Sequence, residues 1–124
     1  MTARNQLLSA IKTGDIIFGV AEGGQEKLLL VTGADAHRIV ARHVTSQRTV
    51  VFRRDGKSEP TWDGGSCLIT SVAPLPFDAH EAALGLDRKM RDAREDSDFR
   101  LTDAEKRLLL MVGPYFAARP LPVQ

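Results

Sequence analysis

The sequence is short of the features that mark secreted and membrane proteins. It contains one cysteine, Cys67, so no disulfide can form within the chain and the usual sign of a small secreted scaffold is missing. No apolar run approaches the roughly 20 residues that span a bilayer, and the apolar patch near the N-terminus is too short for the core of a signal peptide. We therefore expect a cytoplasmic protein that does not enter a membrane.

The chain also lacks an excess of charge of either sign. Seventeen basic residues face sixteen acidic ones, and the net charge of +1 creates no global field that would attract nucleic acid or a membrane surface. The 124 residues are 43% hydrophobic and 27% charged, as in an ordinary globular protein, and they include no repeat and no low-complexity tract. This predicts one domain over residues 1–124, with a strand-rich part at 14–73 and a helical tail at 77–118.

The strand-rich part begins with two runs of different pattern. After Gly14 the apolar residues alternate with a period of two, which predicts a strand with one face made of Ile16, Phe18 and Val20. The run from Lys27 to Thr32 is apolar on both faces. Such a run is typical of a central strand that is covered on both sides.

Three further runs complete the predicted sheet. Segments 37–44 and 48–54 are rich in β-branched residues and flank a short Thr45-Ser46-Gln47 turn, so they predict a hairpin. A last strand follows at 66–73, before the prolines of Pro74-Leu75-Pro76 end the strand region. We expect a small antiparallel β-barrel or strongly bent sheet of about five strands.

Helices are predicted on both sides of this region, which makes the fold class α+β. A short helix occupies Thr2 to Lys12, where Leu7, Leu8 and Ile11 recur at helical spacing. The tail opens with a helix whose narrow apolar stripe consists of Ala79, Ala83, Leu86, Met90 and Ala93. Thr102 and Glu105 form a capping box for a second tail helix. That helix is so apolar at 108–112 that we expect it to be part of the core.

The start of the strand region carries a resemblance to known families. Gly14-Asp15-Ile16-Ile17 follows a short helix and opens a series of short strands with tight turns. This arrangement resembles SH3-like small β-barrels and the PemK-like plasmid-maintenance ribonucleases. Those toxins have an Arg-Pro pair before the apolar run of the second strand, where this chain has Lys27-Leu28-Leu29. Thr70-Ser71 is the kind of hydroxyl pair that such enzymes use, but the resemblance transfers no catalytic residue.

The most distinctive local feature is a basic segment at 38–57. It contains one acidic residue, Asp55, against six basic ones, an excess of +5: Arg38, Arg42, Arg48, Arg53, Arg54 and Lys57. Strand alternation places Arg38 and Arg42 on one face, and Arg48 and Arg54 on one face of the next strand. These cations could contact phosphates, with Trp62 or Phe52 as a stacking platform. The alternative is a solvated hairpin whose arginines pair with the acidic groups of the tail: Asp87, Asp92, Glu95, Asp96, Asp98 and Asp103.

The other candidate residues favour structural roles. Trp62 lies in a polar loop, where it serves either as a binding anchor or as a cover for the protein's own core. His37 and His43 are about 20 Å apart along a strand, too far to share a metal ion. Nothing in the sequence near Cys67 lowers its pKa, so a buried structural cysteine is the better interpretation. We expect no metal, no cofactor and no identifiable catalytic residue.

Three classes of function remain, in order of preference. The first is a non-catalytic interaction module that binds a protein partner or associates with itself, and a homodimer is expected because the narrow helical stripe suits helix-on-helix packing. The second is a small barrel that binds nucleic acid through the basic segment. The third is a PemK-like ribonuclease, which needs a general base and a phosphate-stabilising cation in one cleft.

Overall fold

The fold is α+β, as the sequence predicts. The computed structural model describes residues 2–59, 66–93 and 100–123. Its elements, in chain order, are α1 (Ala3–Ser9), β1 (Ile16–Ala21), β2 (Glu26–Ala34), β3 (Arg38–His43), β4 (Thr49–Arg53), β5 (Cys67–Ser71), α2 (Phe77–Asp92) and α3 (Asp103–Ala117). The strands form one antiparallel sheet in the order β4-β3-β2-β1-β5, which curls into a half-barrel.

The two edge strands of the sheet are linked through the segment 56–59. This segment begins in a turn at Gly56, whose φ of 90° lies in the left-handed region that favours glycine. The N–H of Ser58 donates to the carbonyl of Cys67 in β5 at 2.9 Å, and the N–H of Glu59 donates to the carbonyl of Val51 in β4 at 2.8 Å. The segment therefore forms backbone hydrogen bonds with both edge strands and bridges the open side of the half-barrel.

The sheet is covered on both faces. All five strands contribute to the inner face, where residues such as Leu29, Ile39 and Phe52 pack with Leu8 of α1. On the outer face, Phe18 and Leu28 pack against α2 and α3. The prediction that β2 is a central strand covered on both sides is confirmed, because the consecutive residues Leu28 and Leu29 are both buried and belong to different clusters.

The apolar stripe of α2 is buried within the chain itself. Ala83 and Leu86 are fully buried in the cluster that joins α2, α3 and the sheet, and Ala79 and Met90 pack against the same cluster. The stripe is therefore not a free surface for a second copy. None of the helices in the described ranges has the length and apolar composition that a membrane span requires.

Helix α3 is part of the core, as its sequence predicts. The capping box at its start is present, with Thr102 Oγ1 accepting from the N–H of Glu105 at 3.1 Å and Glu105 Oε1 accepting from the N–H of Thr102 at 2.7 Å. Phe116 is buried and stacks on Phe18, with 4.8 Å between the ring centroids. Leu110, in contrast, leaves 79% of its surface exposed. One side of α3 thus supports the sheet while another faces outward.

Candidate interaction site

The predicted basic residues lie in and around the β3–β4 hairpin. Arg38 and Arg42 share the outer face of β3, as alternation predicts, and Arg53 lies directly opposite Arg38 in the register of the two strands. The two residues predicted to share a face of the next strand, Arg48 and Arg54, immediately precede and follow β4. Lys57 belongs to the segment 56–59, and Trp62 lies outside the described residues.

Arg42 is held by a buried carboxylate of α2. Its Nε and Nη2 atoms donate to Asp87 at 2.9 and 2.7 Å, and Gln47 in the hairpin turn donates to the same carboxylate at 3.0 Å. Burial by itself raises the pKa of Asp87, but the hydrogen bonds from Arg42 and Gln47 and the charges of Arg42 and Arg91 outweigh it, so the pKa lies below its usual value. This network fixes the hairpin on α2, which is a structural role.

Arg54 also serves the fold. Its Nε atom donates to the carbonyl of Asp35 at 2.7 Å, and its Nη1 atom donates to the carbonyls of Leu8 and Ile11 at 3.0 and 3.2 Å. Carbonyls at the end of a helix lack partners within the helix, and a guanidinium can satisfy several of them at once. Arg54 therefore connects the end of α1 to the barrel.

Arg38 and Arg53 remain as the exposed pair of the hairpin. Arg38 forms an ion pair with Glu59 at 2.7 Å, and Arg53 forms one with Asp55 at 3.5 Å. The backbone N–H groups of His37 and Arg38 donate to Asp35 and lower the pKa of this carboxyl.

The folded chain thus neutralises much of the charge counted in the sequence. Asp35 and Glu59, just outside the segment 38–57, and Asp87 of the tail all lie beside its cations. These three carboxylates reduce the local excess from +5 to +2. A surface with so small an excess is a weak candidate for binding a polyanion.

A groove between the start of β2 and α3 is a second candidate, and it consists of two adjoining hollows. They share Phe18, Glu26, Gly113 and Pro114, and we call the pair the α3 groove. One hollow, of about 360 Å³, is further lined by Leu28, His43, Thr45, Leu109, Leu110 and Val112. The other, of about 540 Å³, is further lined by Val20, Gly24, Thr70, Phe116, Ala117 and Pro120. Mostly apolar walls with a few polar groups are typical of binding sites.

The polar group common to both hollows is the carboxylate of Glu26. It lies against the helix at Gly113, where a Cβ atom would be only 3.0 Å from Glu26 Oε2. Glu26 forms no ion pair and no side-chain hydrogen bond with any other described residue. The carbonyl of Leu110, a residue that lines one hollow, is a second acceptor, because Pro114 one turn later has no N–H to donate to it. The groove thus combines two hydrogen-bond acceptors, the carboxylate of Glu26 and the carbonyl of Leu110, with apolar walls.

His43 is a lining residue of one hollow of the α3 groove. Its Nδ1 atom is 2.7 Å from Ser46 Oγ and its Nε2 atom is 3.0 Å from Thr45 Oγ1. Burial lowers the pKa of His43, and the charge of Lys27 lowers it further. Both ring nitrogens thus have hydroxyl partners, and burial and the charge of Lys27 both disfavour the charged imidazole.

The two hydroxyl groups of the Thr70-Ser71 pair have structural partners, and the thiol of Cys67 is buried. Ser71 is buried and its Oγ atom donates to the carbonyl of Arg119 at 2.7 Å, while Thr70 Oγ1 donates to the carbonyl of Phe18 at 3.5 Å. Cys67 is buried, as predicted, and burial raises its pKa. Among residues 2–59, 66–93 and 100–123, no group of three His, Cys, Asp or Glu side chains could hold a metal ion.

The α3 groove could not be predicted from local sequence patterns. Glu26 and the helix residues that it contacts are more than eighty positions apart, and no local pattern connects them. The one available signal is Gly113-Pro114 inside an otherwise apolar helix, since a proline there removes a helical hydrogen bond. Comparisons with known proteins give no match: no family model, no curated protein and no solved structure is significantly similar to this chain.

Proposed function

We propose that the protein is a non-catalytic binding module and that it holds a segment of a partner protein in the α3 groove. The observation that carries this proposal is the carboxylate of Glu26, which has no partner among the described residues and lies between two apolar hollows. An apolar groove with a few fixed polar groups provides both affinity and orientation for a ligand.

Nucleic-acid binding is the second candidate function. Arg38 and Arg53 are exposed side by side across β3 and β4, next to the half-buried pair Val40 and Val51, and they could meet an anionic surface. This hypothesis has less support than the groove, because Arg42 and Arg54 are committed to the fold, and Arg38 and Arg53 each form an ion pair with a carboxylate.

A PemK-like ribonuclease is the third candidate. Such an enzyme needs a cation next to the hydroxyl groups of the site, to stabilise the phosphate. No lysine or arginine is among the residues that line the hollow containing Thr70. This hypothesis therefore lacks a supporting observation in the described part of the chain.

The proposed setting of the binding module is the cytoplasm, where a single cysteine stays reduced. Self-association as a homodimer stays a prediction. The α2 stripe gives it no support, because the chain itself covers that stripe.

The proposal is tested by selecting peptides on the protein and asking where they bind. Peptides from a displayed random library are selected on the parent chain and then measured against Leu110→Gln, which places an amide at the edge of the α3 groove. Leu110 is 79% exposed, so this change leaves the core intact. The matched control is Val123→Gln, since Val123 is 94% exposed and does not line the groove.

We expect the selected peptides to bind Leu110→Gln several-fold more weakly than the parent, because an apolar contact is lost, and to bind Val123→Gln as they bind the parent. A selection that enriches no peptide would contradict the proposed function. Peptides that bind both variants equally well would contradict it too.

A further inference from the structure

We propose that the occupant of the α3 groove is a peptide segment in which an arginine or lysine is flanked by apolar residues, with its cation on Glu26. This inference rests on the proposed function and names the chemistry of the partner. The observation that supports the inference is the exposed carboxylate of Glu26, which has an apolar hollow on each side.

The negative charge of Glu26 favours a ligand that carries a cation. Glu26 has no counter-ion among the described residues, and no lysine or arginine lines either hollow. The one titratable base that lines either hollow is His43, and burial lowers its pKa. A carboxylate beside apolar walls forms a stronger ion pair once a ligand excludes water from it, because the local dielectric constant falls.

The neighbouring Lys27 does not supply the missing cation. Residues 26 and 27 are adjacent in β2, and side chains alternate between the two faces of a strand. Lys27 is half-buried, and its charge lowers the pKa values of His43 and Cys67, whereas Glu26 lies against α3. The carboxylate is thus left for an external partner.

The N–H groups of an arginine or lysine side chain could also donate to a second acceptor, the carbonyl of Leu110. The carbonyl of Leu110 lacks its helical donor, because residue 114 is a proline. A guanidinium has five N–H donors in a planar fork and can serve two acceptors at once, while an ammonium has three. Glu26 and this stretch of α3 line the same hollow, so one cationic head can address both.

The shape of the groove favours a peptide segment over a compact ligand. The hollows of about 360 and 540 Å³ adjoin each other at Glu26 and are each open to solvent. Phe18 forms part of both walls, with Val112 in one and Phe116 in the other. A short peptide can therefore place an apolar side chain on either side of a central cation. Grooves that bind successive side chains of a peptide are common among binding modules.

The test uses two synthetic peptides that differ in one charge. They are acetyl-Gly-Leu-Arg-Leu-Gly-amide and the same peptide with citrulline, which keeps the shape of arginine and removes its charge. Titration into the full chain, followed by isothermal calorimetry or amide chemical shifts, should show the arginine peptide binding about fivefold more tightly. Added salt should narrow the difference, because it screens the ion pair.

Two matched variants assign the charge effect to one residue. Glu26→Gln should abolish the preference for arginine over citrulline, since the carboxylate is lost while the shape is kept. Glu22→Gln is the control, because Glu22 is an exposed acid of the adjoining turn that lines neither hollow, and it should keep the preference. Both variants change the net charge of the chain equally.

Several results would overturn the inference. They are equal binding of the two peptides by the parent, a preference that survives Glu26→Gln, and the absence of binding by either peptide.

If peptides of other composition still bind Leu110→Gln more weakly than the parent, the groove is a binding site and only the proposed cation is wrong. If no peptide depends on Leu110, the proposed function fails as well. A parent dimer that Glu26→Gln converts to a monomer in light scattering would show that a second copy fills the groove, and this would also overturn the inference.

Discussion

Two arginines on the same face of the β3–β4 hairpin have different roles, because their partners differ in burial. Asp87, a buried residue of α2, accepts two hydrogen bonds from Arg42, and the side chain of Arg42 is itself only 22% exposed. Asp55, the partner of Arg53, is exposed and contacts it at 3.5 Å. An exposed pair contributes little to stability, whereas removing one member of a buried pair leaves the other charge without compensation.

We therefore predict that Arg42→Ala destabilises the fold much more than Arg53→Ala. Loss of the guanidinium from the largely buried pair should lower the free energy of unfolding by about 2 to 3 kcal/mol. The same change at Arg53 should alter it by no more than about 0.5 kcal/mol. Urea denaturation followed by circular dichroism measures both, and equal effects for the two variants would show that the Asp87 network does not anchor the hairpin.

Helix α3 divides its side chains between the core and the groove. Phe116 is buried against Phe18, while Leu110 projects from the helix with most of its surface in solvent. The helix thus supports the outer face of the sheet and also forms a wall of the α3 groove. Binding and stability can therefore be changed separately by substitutions in this one element.

This division predicts opposite sensitivities at two positions of α3. Phe116→Ala should cost about 3 to 4 kcal/mol, because a fully buried aromatic ring leaves a cavity. Leu110→Ala should change the free energy of unfolding by less than about 0.5 kcal/mol, as is usual for an exposed side chain. Thermal and chemical denaturation provide the values. A large loss of stability at Leu110 would mean that this side chain belongs to the core.

The elements of the fold could be predicted from the sequence because each has a local pattern. The alternation at Ile16 to Val20, the doubly apolar run of β2 and the Thr102 capping box all report on residues near one another in the chain. The candidate site could not be predicted in this way. Asp87 is 45 positions from Arg42, so counting charges within 38–57 overestimated the basic surface.

At the scale of the whole molecule, two surfaces are candidates for binding a partner. The outer face of the hairpin carries the exposed Arg38 and Arg53, each beside a carboxylate. The α3 groove carries a carboxylate without a partner among the described residues. An exposed carboxylate without an ion pair, next to apolar surface, is free to pair with a cationic ligand, whereas Arg38 and Arg53 already have partners. The central claim is that partners bind at the groove.

The most direct test of this claim is a map of amide chemical shifts as the arginine peptide is added to the parent chain. We predict that the largest changes occur at residues around the α3 groove, including Glu26, Thr45, Leu110 and Gly113, while Arg38 and Arg53 stay nearly unchanged. Changes concentrated at Arg38 and Arg53 with a silent groove would contradict the account.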